Sequence, residues 1–370
     1  MNHCCGLYIH IPFCQSKCPY CDFYSKACTS AESSLYTEKL CKMISLYAEL
    51  YPNKIFDTLY IGGGTPSIIG TDNLVKIIAA AKQYFHTVSD REITIEMNPC
   101  SAVKIDFDRL SAANVNRISL GIQSANENEL QLLGRIHRNA DVIRTVEKIQ
   151  KSGIDNLSLD VMVGIAQQNE TSLKNSLDFC IQNGAKHISA YLLKIEPNTP
   201  YQKLAPRLNL PDDDQQADLY EFMVNYLQDK GYCQYEISNF ALSGFESRHN
   251  LKYWNCEEYL GLGASAHSLM DGKRFYFPRD IQSFYDNKTV SDGDGATEYE
   301  YIMLRLRLTD GISFEEYQQR FHRKFPEKCL AKAEKYSRYH LISLQKNAMK
   351  LTKKGFLLSN VIIADILSEL

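Results

Sequence analysis

The sequence predicts an α/β fold: six strand–helix units curved into a partial (β/α)6 barrel, with a small helical domain after it. Three observations predict this. Short apolar runs recur along the first half of the chain, amphipathic helical patterns stand between them, and the chemically distinctive motifs fall at the ends of the runs. Strands alternating with helices build a parallel sheet with right-handed crossovers. Such sheets place their functional residues at the C-terminal ends of the strands.

The apolar runs are Leu7 to Ile11, Thr58 to Ile61, Ile93 to Met97, Ile118 to Ile122, Leu157 to Val163 and His187 to Leu193. Tyr36, Leu40, Met43, Ile44, Tyr47 and Leu50 share one helical face after the first run. Thr71 reads as the N-cap of a second helix that turns Leu74, Ile77 and Ile78 inward. Pro197, Pro200, Pro206 and Pro211 punctuate a linker, and a helix is expected from Asp212 to Asp229 before the run YEISNF. The expected division is a core over residues 1–240, a connecting region over 241–295 and a small C-terminal domain over 296–370.

The 370 residues are 44% hydrophobic and 23% charged with net charge -3, which favours no global association with nucleic acid or an acidic surface. From Arg305 to Lys354, 13 Lys/Arg stand against 5 Asp/Glu, an excess of eight. A solvated face is preferred there over an RNA surface. The N-terminal stretch lacks the basic and apolar pattern of a signal peptide, and no run approaches the ~20 apolar residues of a membrane span, so a cytoplasmic protein is expected. Twelve cysteines in such a compartment argue against a disulfide framework.

Cys14, Cys18 and Cys21 form C-x3-C-x2-C directly after the first strand. Three thiolates on a four-iron cluster leave one iron open to a ligand that is not protein. Structural zinc instead needs a fourth protein ligand, for which His10, Cys4 and Cys5 are the candidates. Zinc leaves the other strand-end motifs without a role. These are Gly62-Gly63-Gly64-Thr65, Glu96, Gln123 with Arg135 beyond it, and Asp160.

The cysteine spacing resembles that of the radical S-adenosylmethionine (radical SAM) superfamily. The resemblance implies a 4Fe-4S cluster on Cys14, Cys18 and Cys21, whose open iron takes the amino and carboxylate groups of S-adenosyl-L-methionine (SAM). It further implies that Gly62, Gly63, Gly64 and Thr65 approach the methionine end of SAM, and that Glu96 faces its ribose hydroxyls or methionine end. Longer runs, among them YLLKIEPNTPY, YEISNFA, HNLKYW and YLGLGASAHS, resemble the oxygen-independent coproporphyrinogen III oxidase group over nearly the whole chain. That likeness adds Tyr8 to the SAM site, implies a second SAM site on Tyr20, Gln123, Arg135 and Asp160, and gives the tail, with LRLTDGIS and LTKKGFLLSN, the look of the group's small C-terminal domain, of winged-helix character. Gly164-Ile165-Ala166 departs from the group's Gly-Leu-Pro.

The group contains a decarboxylating enzyme branch and a heme-chaperone branch. Phe23 stands where the enzyme branch carries a further cysteine, and Cys14 comes too early for that branch's extended N-terminal segment. The HNxxYW motif, His249, Asn250, Tyr253 and Trp254, is linked to heme binding in the chaperone branch. The resemblance therefore implies a heme chaperone serving heme-acceptor proteins such as respiratory enzymes, with peripheral contact with membrane-bound acceptors and no nucleic acid. Two readings of His249 stand at this point: an axial heme ligand, and a histidine satisfied by hydrogen bonds in a turn. His267, Cys4 and Cys5 are further candidate ligands. The alternative functions are oxidative decarboxylation of coproporphyrinogen III in porphyrin biosynthesis and, more remotely, radical SAM chemistry on RNA.

Overall fold

The structure, a computed structural model, describes residues 4–370. All six expected strands form: β1 (Cys5–Ile11), β2 (Ile55–Gly63), β3 (His86–Met97), β4 (Arg117–Gln123), β5 (Asn156–Val163) and β6 (His187–Leu192). They lie side by side in sequence order, and each pairs in parallel with the next. The near-continuous apolar character of these runs reflects burial on both faces, as expected where helices cover one side of a parallel sheet.

The sheet does not close. Beyond β6 it continues antiparallel through β7 (Cys233–Gln234) and β8 (Asn239–Ala241). Beyond β1 it continues through β9 (Tyr259–Leu262), parallel to β1, and then antiparallel through β10 (His267–Met270), β11 (Lys273–Tyr276) and β12 (Val290–Asp294). The described residues thus form a twelve-stranded open sheet with the six parallel strands at its centre. Residues 241–295, set apart in the sequence as a connecting region, supply this second flank.

The helix Ser30–Leu50 buries Tyr36, Leu40, Met43, Ile44 and Tyr47 on the stripe expected from their spacing, and Thr29 begins it with a capping box to Glu32. The second helix runs Gly70–Tyr84, so Thr71 lies inside its first turn and does not cap it. A short 3-10 turn from Pro66 to Ile69 enters the helix directly, and the Thr71 hydroxyl instead accepts the backbone N–H of Asp106 at 3.0 Å. Asp212 caps the helix Asp213–Asp229, as its acidic first turn suggests.

The C-terminal part combines helices, including Glu298–Arg305, Phe314–Phe321 and Glu327–Ser337, with a three-stranded antiparallel sheet. Its strands are β13 (Ile312–Ser313), β14 (Ile342–Leu344) and β15 (Ala348–Leu351), with β15 in the middle. Tyr317 and Phe325 are buried there and Phe321 packs against them, matching the core role expected of the interleaved aromatics. No helix among the described residues is long and apolar enough to cross a membrane.

Candidate functional site

Cys14, Cys18 and Cys21 lie on the loop that leaves the C-terminal end of β1, all three half-buried and free. The loop is pinned at its base: the Cys14 N–H donates to the Lys26 carbonyl at 3.0 Å, and the Lys26 N–H donates to Pro12. The glycine strip at the end of β2 meets it from the side. The Gly64 N–H donates to Ile11 at 2.8 Å and the Thr65 N–H to Phe13 at 2.8 Å, while the Thr65 hydroxyl stands 3.4 Å from Cys14 Sγ.

Two of the glycines are needed for this approach. A Cβ on Gly64 would lie 2.7 Å from the Phe13 carbonyl oxygen and 3.1 Å from Cys14 Sγ. Gly63 has φ +112°, and a Cβ there would strike the His10 ring. Gly62 faces Glu96, whose carboxylate accepts the Gly63 N–H at 3.1 Å and the Tyr60 hydroxyl at 2.7 Å. Burial pushes the Glu96 carboxyl up to about 7, against the lowering effect of the Tyr60 hydrogen bond. Tyr8 stands beside this group, its hydroxyl 3.0 Å from His10 Nδ1 and its ring 6.2 Å from that of Tyr60.

A second group lies across the cysteine loop. Arg135 donates from Nε to the Tyr20 hydroxyl at 3.0 Å, and burial raises the Tyr20 pKa despite that cation. Gln123, at φ +67°, shares with Arg135 the space over Gly121. Asp160 on β5 accepts from Ser119 at 3.0 Å, and burial raises its pKa. Cys18 and Cys21 are near enough to Arg135 for a thiolate on either to favour its charge. The structure thus gathers the residues expected around the cluster and SAM into two adjoining groups joined by the cysteine loop. Arg135 would offset negative charge on the thiolates.

The candidates for a fourth protein ligand to zinc do not serve the loop. Cys5 is buried at the start of β1, roughly 20 Å of strand away from its far end at about 3.3 Å per residue. Burial, with the adjacent Glu258 carboxylate, pushes its thiol up to about 12. Cys4 immediately precedes the same end of the strand. His10 has both ring nitrogens engaged, by the Tyr8 hydroxyl and at 3.4 Å by the Tyr24 carbonyl. Among the described residues no three His, Cys, Asp or Glu side chains converge as a single ion requires. Three half-buried thiols at a strand end, with a cation behind them and a glycine strip beside them, fit a multi-iron cluster with one open corner.

His249 adjoins the first group from beneath, with its ring 6.4 Å from that of Tyr8. It sits on the short helix Arg248–Trp254, at the deep end of the sheet beside Gly6 and Thr58. It is 0% exposed, with Nδ1 2.8 Å from the Thr58 hydroxyl, Nε2 2.7 Å from the Tyr253 hydroxyl and its ring stacked 5.1 Å from Tyr60. The Glu92 carboxylate accepts the N–H groups of Arg248 at 3.0 Å and His249 at 3.1 Å, anchoring the helix start. Burial lowers the imidazole pKa to about 3, so the ring is neutral. Of the two readings left open for His249, this geometry favours the histidine satisfied by hydrogen bonds, since neither nitrogen faces an open space.

Several residues of the site had not stood out in the sequence. Tyr60 and Glu92 carry no motif, and their partners are 36 and 157 positions away. The proline-rich segment after β6 folds over the cysteine loop: the Tyr201 N–H donates to Pro19 at 3.0 Å, and its buried ring meets Tyr20 edge-on. The spacing of its prolines marked a linker and gave no sign of this contact.

A family model described as the Radical SAM superfamily matches residues 8–180, and one described as the HemN C-terminal domain matches 299–358. The chain is 35% identical to the heme chaperone HemW of Bacillus subtilis over 98% of this chain and 99% of that protein. It is 33% identical to the heme chaperone HemW of Escherichia coli, over 84% of this chain and 85% of that one. Its fold is that of coproporphyrinogen III oxidase (HemN) from Escherichia coli, with TM-score 0.85 at 19% identity, covering 100% of this chain and 91% of the other. Strand order, cysteine loop and full-length likeness agree, and the chain belongs to the HemW family of the radical SAM superfamily.

Proposed function

We propose that this chain is a heme chaperone, which binds heme and passes it to acceptor proteins, and that it carries a 4Fe-4S cluster and SAM as resident cofactors. The observation that carries this is likeness along essentially the whole chain to relatives named as heme chaperones. In this reading Cys14, Cys18 and Cys21 hold the cluster. Gly62 to Thr65 and Glu96 receive SAM beside it, with Tyr8 on the inner side. Tyr20, Gln123, Arg135 and Asp160 offer a further polar surface next to the loop. When bound, such a cluster supplies one-electron reduction of SAM, while the chain's own part is orientation and exclusion of water.

Each residue has a definable task in that arrangement. The glycine strip brings backbone against the cysteine loop, leaving a ligand of the open iron flanked by main chain. Glu96, held by Tyr60 and the Gly63 N–H, presents a carboxyl that takes or releases a proton near neutrality. The heme acceptors are proposed to include respiratory enzymes, reached at a membrane surface from the soluble side.

The test is anaerobic. Cluster-loaded protein is given heme and a heme-depleted acceptor, and transfer is followed by absorption; in parallel it is given SAM, a reductant and coproporphyrinogen III. Heme transfer without protoporphyrinogen is the expected result. Formation of protoporphyrinogen that stops with Cys18→Ala would establish a decarboxylating enzyme instead.

A further inference from the structure

We propose that heme docks in the cleft between the cysteine loop and the strands β9 to β11, with His267 as its axial ligand and Tyr276 supporting the imidazole. This inference rests on the heme-chaperone reading and assigns that function a place. The cleft encloses about 700 Å³, within the ~300–1,000 Å³ typical of ligand sites. Its walls are largely aromatic, with Tyr8, Tyr253, Tyr259 and Phe277 on one side and Phe23 at the mouth. Phe23, two residues from a candidate cluster ligand, is 69% exposed, the most exposed large apolar side chain among the described residues. A flat apolar macrocycle would cover it.

His267 is the histidine that this cleft leaves available. Both ring nitrogens of His10, His187 and His249 are engaged by neighbouring groups. The His267 ring carries no such bond among the described residues and is exposed toward the cleft. It faces Tyr276 directly across the β10–β11 pair, and the two rings stack at 4.9 Å and 22°. A short antiparallel pair thereby fixes the direction of the imidazole before any ligand arrives, which lowers the ordering cost of ligation. Partial burial depresses its pKa, so at neutral pH a lone pair is free for iron.

The rim carries charge suited to an amphipathic ligand. Arg279 lies at the mouth, bound to the Asp22 backbone carbonyl and 3.7 Å from the Asp22 carboxylate. A heme propionate would compete with Asp22 for that guanidinium, which can serve both. Asp292 also borders the cleft, and it orients the propionates toward Arg279 by repelling them from its own side. The cleft is contiguous with the cysteine loop through Asp22, Phe23 and Tyr24, so cluster and cargo would share one wall.

The test titrates the cluster-loaded, full-length protein with heme under anaerobic conditions, following the Soret band and, after oxidation, the ferric spin-resonance signal. The wild type is expected to show a histidine-ligated spectrum. His267→Ala should bind heme at least tenfold more weakly and lose that signature, with cluster absorption unchanged and the signature partly restored by added imidazole. Unaltered affinity and spectrum in His267→Ala would overturn the placement and leave the chaperone reading standing. Loss of the signature in His249→Ala with His267→Ala silent would overturn it likewise. A wild type that binds no heme would remove both the site and the function it rests on.

Discussion

At the scale of single residues, Glu96 holds a proton that the folded chain resists giving up. Its carboxyl titrates near pH 7 in the folded protein because burial disfavours the charge, whereas an unfolded chain would ionise it near 4.5. The folded state therefore binds the proton more tightly. The stability this contributes is complete below about 4.5 and is lost as pH rises through about 7. In the absence of SAM, Glu96→Gln is expected to shift the change in urea midpoint between pH 5 and pH 8 upward relative to the wild type, with Glu236, also raised by burial to about 7, acting in the same direction as Glu96 and the buried His10, His137 and His249 in the opposite one. His249 gives the opposite kind of test. Its removal leaves the Thr58 and Tyr253 hydroxyls unpartnered and opens a void beside Gly6, so His249→Ala should cost about 3 kcal/mol in denaturant unfolding. The cysteines were legible in sequence because spacing alone marks them. The role of His249 was not, because its partners Thr58 and Glu92 come from strands 191 and 157 positions away.

At the scale of elements, the proline-punctuated segment after β6 acts as a strap on the cysteine loop. Its hold is Tyr201, buried in a satellite core with Leu133, Met162, Ile165 and Leu193. Tyr201→Ala should release the strap, seen as faster protease nicking between Leu193 and Pro211. Among the described residues the Tyr201 hydroxyl has no hydrogen-bond partner, so Tyr201→Phe should leave nicking unchanged. The six central strands were readable because each is a long apolar run bounded by turn residues. The flank β9 to β12 was not, because these strands hold four or five residues each and alternate weakly, and β9 and β12 are interrupted by glycine. Thr71 illustrates the limit of cap signals: a preceding 3-10 turn already supplied the helix entry, and the hydroxyl was free to bind elsewhere.

For the molecule as a whole, part of the positive excess between Arg305 and Lys354 is answered by acids that flank it in sequence. Arg323 pairs with Glu298, and Lys332 and Lys335 pair with Asp365, with Glu369 3.6 Å from Lys332. Counting charge within a window missed this, since the partners lie just outside it. The solvated-face reading fits such pairing, and binding to RNA at moderate salt is expected to be undetectable in a mobility-shift assay.

The twelve-stranded sheet has two free margins, and β12 is the longer of them, exposed at all five positions. An open margin of that kind offers unpaired backbone groups to any passing chain. Here it reads Val-Ser-Asp-Gly-Asp, so a strand from a second molecule would have to bury carboxylates and bridge a glycine. Ser291→Val with Asp294→Val should accordingly raise light scattering on concentration while cluster loading stays normal. A protein that must leave its cargo cleft open gains colloidal safety from the acidity of the neighbouring margin.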